Sequence, residues 1–249
     1  MRNYFKDWTL FEKSWLLIFT LLGIYLSYVW GESPIGLLAF LTGIWCVILV
    51  TKGKISNYYF GLVNVVAYGY VAYTRQLYGE VMLNWGYFIP AQIWGLWLWT
   101  RAKNRRLEDT KAVIAKALTN YQRIGVAAIL IISIISYGHI LQLIKGNLPW
   151  IDSAGTMLQV VAMVLMALRY REQWALWIVV NILQITMWGI VLFKQGANDI
   201  SALMMWSAYL VNSFYGFYTW GQMVKDRQEC LESPLARTYR KFNDKFKCD

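Results

Sequence analysis

Eight apolar runs that contain no Asp, Glu, Lys or Arg constrain this 249-residue chain more than any other feature. They are Ser14–Trp30, Ile35–Thr51, Ile55–Thr74, Val81–Thr100, Ile124–Ile144, Ser153–Leu168, Trp174–Phe193 and Ile200–Val224. Crossing hydrocarbon takes roughly 20 apolar residues at a helical rise of 1.5 Å each. Backbone amides deprived of water must bond within their own segment, so each run predicts a membrane-spanning helix. The connections are short and carry turn formers, as in Lys52-Gly53-Lys54 and Gly146-Asn147-Leu148-Pro149. Only 15% of the residues are charged, against about 25% in soluble domains. A soluble enzyme, a disulfide scaffold and a disordered chain are thereby excluded.

Charge sets the direction of the spans. All but three of the 24 Lys and Arg residues fall on one side; Arg75, Lys145 and Lys194 fall on the other. The cation-rich side is expected to be cytoplasmic and to hold both termini, which an even number of spans requires. The net charge of +10 is accounted for by this asymmetry, so no nucleic-acid partner is called for. The first run has no small-residue cleavage site and reads as a retained span rather than a signal peptide. Cys46 lies in a span and Cys230 and Cys248 in the cytoplasmic tail, where thiols stay reduced. Three scattered Cys and the single His139 make no metal site, and no cofactor is expected. The stretch Arg105–Asn120 reads either as an interfacial helix or as a plain charged loop.

The chain repeats itself. At an offset of 117, Lys52 falls on Arg169, Lys54 on Arg171, Asn64 on Asn181 and Gly79 on Gly196. At an offset of 121, Trp85 falls on Trp206, Gly95 on Gly216 and Trp99 on Trp220. The predicted fold is therefore an all-α membrane protein of eight helices arranged 1+3+1+3. Residues 1–32 hold the N-terminus and an additional helix, and 33–101 the first three-helix repeat. Residues 102–145 hold a basic loop and a connector helix, 146–224 the second repeat, and 225–249 a polar tail. Parallel repeats of this kind are one established transporter plan, with the substrate near the midplane between the halves.

Polar side chains inside a span need a reason, because an unpaired buried amide costs several kcal/mol. In the seventh run Trp174, Trp177, Asn181, Gln184 and Trp188 are spaced 3, 4, 3 and 4, which places them on one helical stripe. Indoles can stack on a planar ring and favour a cationic one; primary amides can bond hydroxyls or a carboxamide without bringing charge into the bilayer. The other reading of the stripe is interhelical hydrogen bonding for the amides and interfacial anchoring for Trp174 and Trp188. Asn64, Gln92, Gln159 and Asn212 lie at mid-depth in other runs, and together with the stripe they outline a polar pathway. Asp152, Asp199, Glu32 and Glu80 stand at the outer ends of the runs, leaving no ionisable acid at the midplane. That pattern points to facilitated diffusion rather than ion coupling. Neither a nucleophile–base pair nor a phosphate-cradling loop is present, so no enzyme is expected.

Trp174-x-x-Trp177 followed by Asn181-x-x-Gln184, within a three-one-three helix repeat, resembles the PnuC family of bacterial nicotinamide riboside transporters over about residues 33–224. The resemblance implies a fold like that of full-length SWEET carriers, a homotrimer in the inner membrane, and facilitated uptake of nicotinamide riboside. A separate kinase would then trap the vitamin inside the cell. Relatives within the family carry thiamine or riboflavin, which stay open as alternatives, as does a non-transporting membrane scaffold. The chain lacks the matched mid-span prolines of the sugar-carrying branch.

Overall fold

The computed structural model describes residues 7–31, 33–74, 78–103, 115–143, 149–195 and 200–232, and these are almost wholly helical. In chain order come α1 (Leu10–Val29), α2 (Pro34–Thr51), α3 (Asn57–Thr74) and the short α4 (Tyr78–Val81). A π-helical segment (Met82–Phe88) leads into α5 (Ile89–Lys103), followed by α6 (Asn120–Leu143), α7 (Pro149–Ala167), α8 (Gln173–Gln195) and α9 (Ile200–Glu232). By length and composition, α1, α2, α6, α7 and the Gln173–Ile190 part of α8 are long and apolar enough to cross a membrane. The fourth apolar run is divided among α4, the π segment and α5.

Local chemistry sets the helix ends. Thr9 Oγ1 accepts from the Glu12 amide at 3.2 Å while Glu12 Oε2 accepts from the Thr9 amide at 2.8 Å. This capping box starts α1 four residues ahead of the apolar run. Ser33 caps α2, with Pro34 in its first turn. The loop positions 104–114, 144–148 and 196–199 and the tail from 233 onward lie outside the described residues, as does most of the interfacial helix considered for Arg105–Asn120. Residues 115–119 of that stretch are not helical. Lys116 pairs with the α7–α8 loop, its amide donating to Arg169 O and its carbonyl accepting from the Arg171 amide, both at 2.8 Å. Glu172 accepts from the Leu118 amide and pairs with Arg123 at 3.0 Å, fixing the entry to α6.

Helix α2 packs on α1, α3 and α9; α8 packs on α7 and α9; α5 packs on α3 and α7. Helix α6 touches α7 and buries only Gly138, so its Ile-rich surface faces outward. His139 stands edge-on to Trp150 at 5.2 Å. This is a packing role outside the centre of the bundle.

The internal repeat is visible bond for bond at the two helix-ending loops. Lys54 donates to Leu49 O (2.9 Å) as Tyr170 does to Leu165 O (2.8 Å), and Gly53 donates to Val50 O as Arg169 does to Met166 O, both at 2.9 Å. Gly53 and Arg169 both adopt the left-handed conformation, φ 63° and 69°, that these closures require. The offset here is 116, one residue less than the offset of 117 that the loop charges suggested. Tyr58 is therefore the counterpart of Trp174, and Val65, not Asn64, is the counterpart of Asn181. The charges misled because the second loop puts Arg where the first has its glycine. The second offset of 121 agrees with the packing: a side chain at Gly95 would meet the Tyr58 ring, and one at Gly216 would come within 2.6 Å of the Trp174 ring.

Candidate functional site

A cavity lies among α2, α3, the α4–π–α5 arm, α7, α8 and α9, with about 780 Å³ of space not filled by atoms, including the part continuous with solvent. Neither α1 nor α6 supplies a described residue to its wall. The six lining elements fall in the stretches that the sequence assigns to the two repeats, and α1 and α6 are the helices that it reads as additional and connecting.

Six of the nine residues singled out from sequence line this cavity together: Asn64, Gln92, Gln159, Trp174, Trp177 and Asn181. Trp174 is buried, seated on Gly216 and edge-on to Trp220 at 5.9 Å, and its Nε1 has no hydrogen-bond partner. Trp177 is half-buried on the same helical face. Asn181 donates from Nδ2 to Ser213 Oγ at 2.9 Å, and its Oδ1 is left unmet. Asn64 donates to Ala39 O at 2.8 Å, which ties α3 to α2. Gln92, packed where a Cβ at Gly61 would stand, and Gln159 each keep a buried, unpartnered Oε1.

The remaining three stand behind the wall. Trp188 donates to Tyr68 Oη at 2.9 Å, and Trp206 donates to the same oxygen at 3.3 Å. Tyr68, which does line the cavity, is thus held by two indoles. Gln184 donates from Nε2 to Glu80 Oε1 at 2.9 Å. Asn212 bonds Val47 O at 3.0 Å and Thr51 Oγ1 at 3.1 Å, joining α9 to α2.

Glu80 requires a correction. The sequence places it at the outer end of a run, leaving no ionisable acid at the midplane, yet the structure brings it into the cavity wall with Asn84, Phe88 and Gln92. These four are spaced by four residues. On a regular α-helix that step overshoots a full turn by about 40°, whereas the wider turns of Met82–Phe88 offset the drift and keep them on one face. A π segment of this kind often accompanies a functional site. Asn84 donates back to Glu80 O at 2.8 Å. The four-residue spacing was visible in the sequence; the π segment that makes it a stripe was not. Trp206, Tyr209 and Ser213 also line the wall and were missed, because aromatic and hydroxyl residues are common throughout the chain.

The wall is thus mainly aromatic and aliphatic, and several of its residues carry buried polar atoms without a partner. That composition is typical of small-molecule sites. Among the described residues, no group of His, Cys, Asp and Glu could hold a metal ion.

The chain matches the family described as nicotinamide mononucleotide transporter over residues 33–222. It is 44% identical over 227 residues to the nicotinamide riboside transporter PnuC of Neisseria mucosa, covering 90% of this chain and 86% of that protein. With the nicotinamide riboside transporter PnuC of Haemophilus influenzae the identity is 36% over 224 residues, covering 90% and 95%. The fold superposes on the crystal structure of the vitamin B3 transporter PnuC with a TM-score of 0.81 at 43% identity, covering 90% of this chain and 96% of that one.

Proposed function

Since the chain belongs to the PnuC family of membrane transporters, we propose that it takes up nicotinamide riboside by facilitated diffusion. The observation that carries this reading is the meeting of Trp174, Trp177 and Asn181 with Gln92 and Gln159 around one cavity built from both halves of the chain. The indoles would receive the planar pyridinium ring, with the favourable interaction that a π face has for a cation. The amide oxygens would accept from the ribose hydroxyls and the carboxamide, and the indole N–H of Trp174 would donate to the carboxamide oxygen.

Eight spans in the 1+3+1+3 order suit this role. The cavity would then sit between two three-helix sets, and alternating rocking of one set against the other would open it to each side in turn. Both termini would be cytoplasmic in a bacterial inner membrane, and a separate kinase would trap the vitamin after entry. A homotrimer is consistent with the outward-facing apolar surface of α6, which needs lipid or a partner copy to cover it.

Titration of the purified full-length protein with nicotinamide riboside, nicotinamide mononucleotide, thiamine and riboflavin tests the assignment. The riboside should bind tightest, and Trp177→Ala or Asn181→Ala should weaken it at least tenfold. Proteoliposomes should equilibrate labelled riboside without any ion gradient. Preference for thiamine or riboflavin would reassign the substrate, unchanged affinity in both variants would move the site, and uptake only under an ion gradient would overturn facilitated diffusion.

A further inference from the structure

The cavity has one charged residue among the described residues that line it, Glu80, and no Lys or Arg. One carboxylate oxygen, Oε1, is held by Gln184 at 2.9 Å. The other, Oε2, is sealed from solvent and makes no hydrogen bond; Gln159 acts on the same carboxylate without forming one to Oε2. Around it, Gln92 Oε1, Gln159 Oε1 and Asn181 Oδ1 are also buried and unmet, whereas Trp174 Nε1 is an unmet donor. Turning an amide end for end would exchange its acceptor for a donor, but a carboxylate that has lost its proton offers acceptors only. A buried, half-satisfied carboxylate is costly unless something positive or proton-donating completes it. Among the described residues of the wall, none supplies a positive charge to complete it.

We propose that Glu80 is the group by which this cavity reads charge: it favours a singly cationic nucleoside and rejects the same nucleoside once a phosphate is attached. The inference rests on the nicotinamide riboside reading and names the residue that sets its specificity. A ring cation brought against the indoles supplies the missing positive charge. A phosphate brings two negative charges beside a carboxylate, with no cationic side chain among the described residues of the wall to offset either. Gln184 then acts through Glu80 as a positioning residue, holding Oε1 so that Oε2 faces the ligand. The stripe on α8 is in this way completed by an acid from the opposite repeat.

The test compares Glu80→Gln with the unmodified full-length protein. The substitution keeps the side chain's shape and one acceptor, removes the charge, and puts an amide donor in place of the other oxygen. Three ligands are titrated: nicotinamide riboside, its dihydro form (the same ribose and carboxamide on an uncharged ring), and nicotinamide mononucleotide. Expected results are at least a tenfold loss for the cationic riboside, less than threefold for the dihydro form, and mononucleotide binding that rises relative to the riboside. Retained binding of the dihydro form also shows that the variant is folded. Gln184→Ala should shift the same cation-to-neutral ratio in the same direction but by less. Equal losses for the cationic and neutral ligands, or no loss for either, would overturn the role of Glu80 while leaving the transporter reading intact. Failure of the unmodified protein to bind either nucleoside would overturn the reading on which this one rests.

Discussion

Glu12→Gln should destabilise the protein by about 3 kcal/mol, and adding Lys52→Met should restore most of that loss. Glu12 and Lys52 form a 2.7 Å ion pair whose side chains are only 3% and 9% exposed. Glu12 also accepts from the Thr9 amide and from Tyr215 Oη at 3.2 Å, while Lys52 Nζ donates to Asp7 O at 2.8 Å and lies over the Trp8 ring. At that separation and an effective dielectric of 20, the attraction is about 6 kcal/mol before desolvation is subtracted. Removing one partner of a buried pair typically costs about 3–5 kcal/mol, because the other charge is stranded. Lys52 retains a carbonyl and an indole face, which places the expected loss at the lower end. For a chain of this size 1 kcal/mol corresponds to about 2–4 °C, so the single variant should melt about 6–12 °C lower. Exchanging both members for uncharged groups of similar size is often neutral, so the double variant should return to within about 4 °C of the original. Thermal unfolding of all four proteins in one detergent measures the cycle. A double variant that melts as low as the two single losses added together would refute the claim that this pair holds α1 to the end of α2.

Three further outcomes follow from the geometry. Gly216→Ala places a methyl within 2.6 Å of the Trp174 ring, so riboside affinity should fall at least tenfold; unchanged affinity with unchanged tryptophan emission would show that the ring tolerates the shift. Asn212→Ala breaks the α9–α2 bonds, one of them to the carbonyl of the cavity-lining Val47, while Asn212 itself stands outside the wall; it should lower stability by about 1–3 kcal/mol with less than a twofold change in riboside affinity, by melting and titration together. Burial tends to raise the Asp7 pKa, but the Lys54 ammonium 3.0 Å away outweighs it and holds the carboxyl below its ordinary 3.8. The folded value is the lower one, so this contribution is complete above pH 3.8 and disappears as the pH falls through the folded value. The melting difference between the original protein and Asp7→Asn should therefore be present at neutral pH and vanish in that acid range; a constant difference would refute it.

The helices could be read from the sequence because a run without charge has few alternatives, and the stripe on α8 because its spacing of 3, 4, 3 and 4 keeps one register throughout. What escaped depended on partners distant in the chain. Glu12 precedes the first apolar run, and nothing nearby shows that Lys52 and Tyr215 would come to meet it. Glu80 was set aside by its position at the end of a run, and only the π segment turns it into line with Asn84 and Gln92. Gln184 and Trp188 lie on the predicted stripe, yet they support Glu80 and Tyr68 rather than reach the cavity. Periodicity identifies a helix face; it does not say whether that face meets a ligand or the residue that holds one.

Trp99 Nε1, at the end of the first repeat, donates to Ala167 O at 3.1 Å, and Trp220 Nε1, at the end of the second, donates to Thr51 O at 3.0 Å. Each indole thus satisfies a carbonyl that the last turn of a helix leaves without an internal partner, and it does so on the opposite repeat. The two rings lie 6.3 Å apart and are fully buried, flanked edge-on by Tyr58 and Trp174 respectively. The two halves of the chain are therefore strapped crosswise beside the cavity, through Trp99 on Ala167 O and Trp220 on Thr51 O. Any rocking of one half against the other has to break or pivot on these straps. Trp174 belongs both to this aromatic layer and to the cavity wall, so a ring stacked on it would press on Trp220 directly, and occupancy of the cavity and the strap between the halves would be mechanically one event.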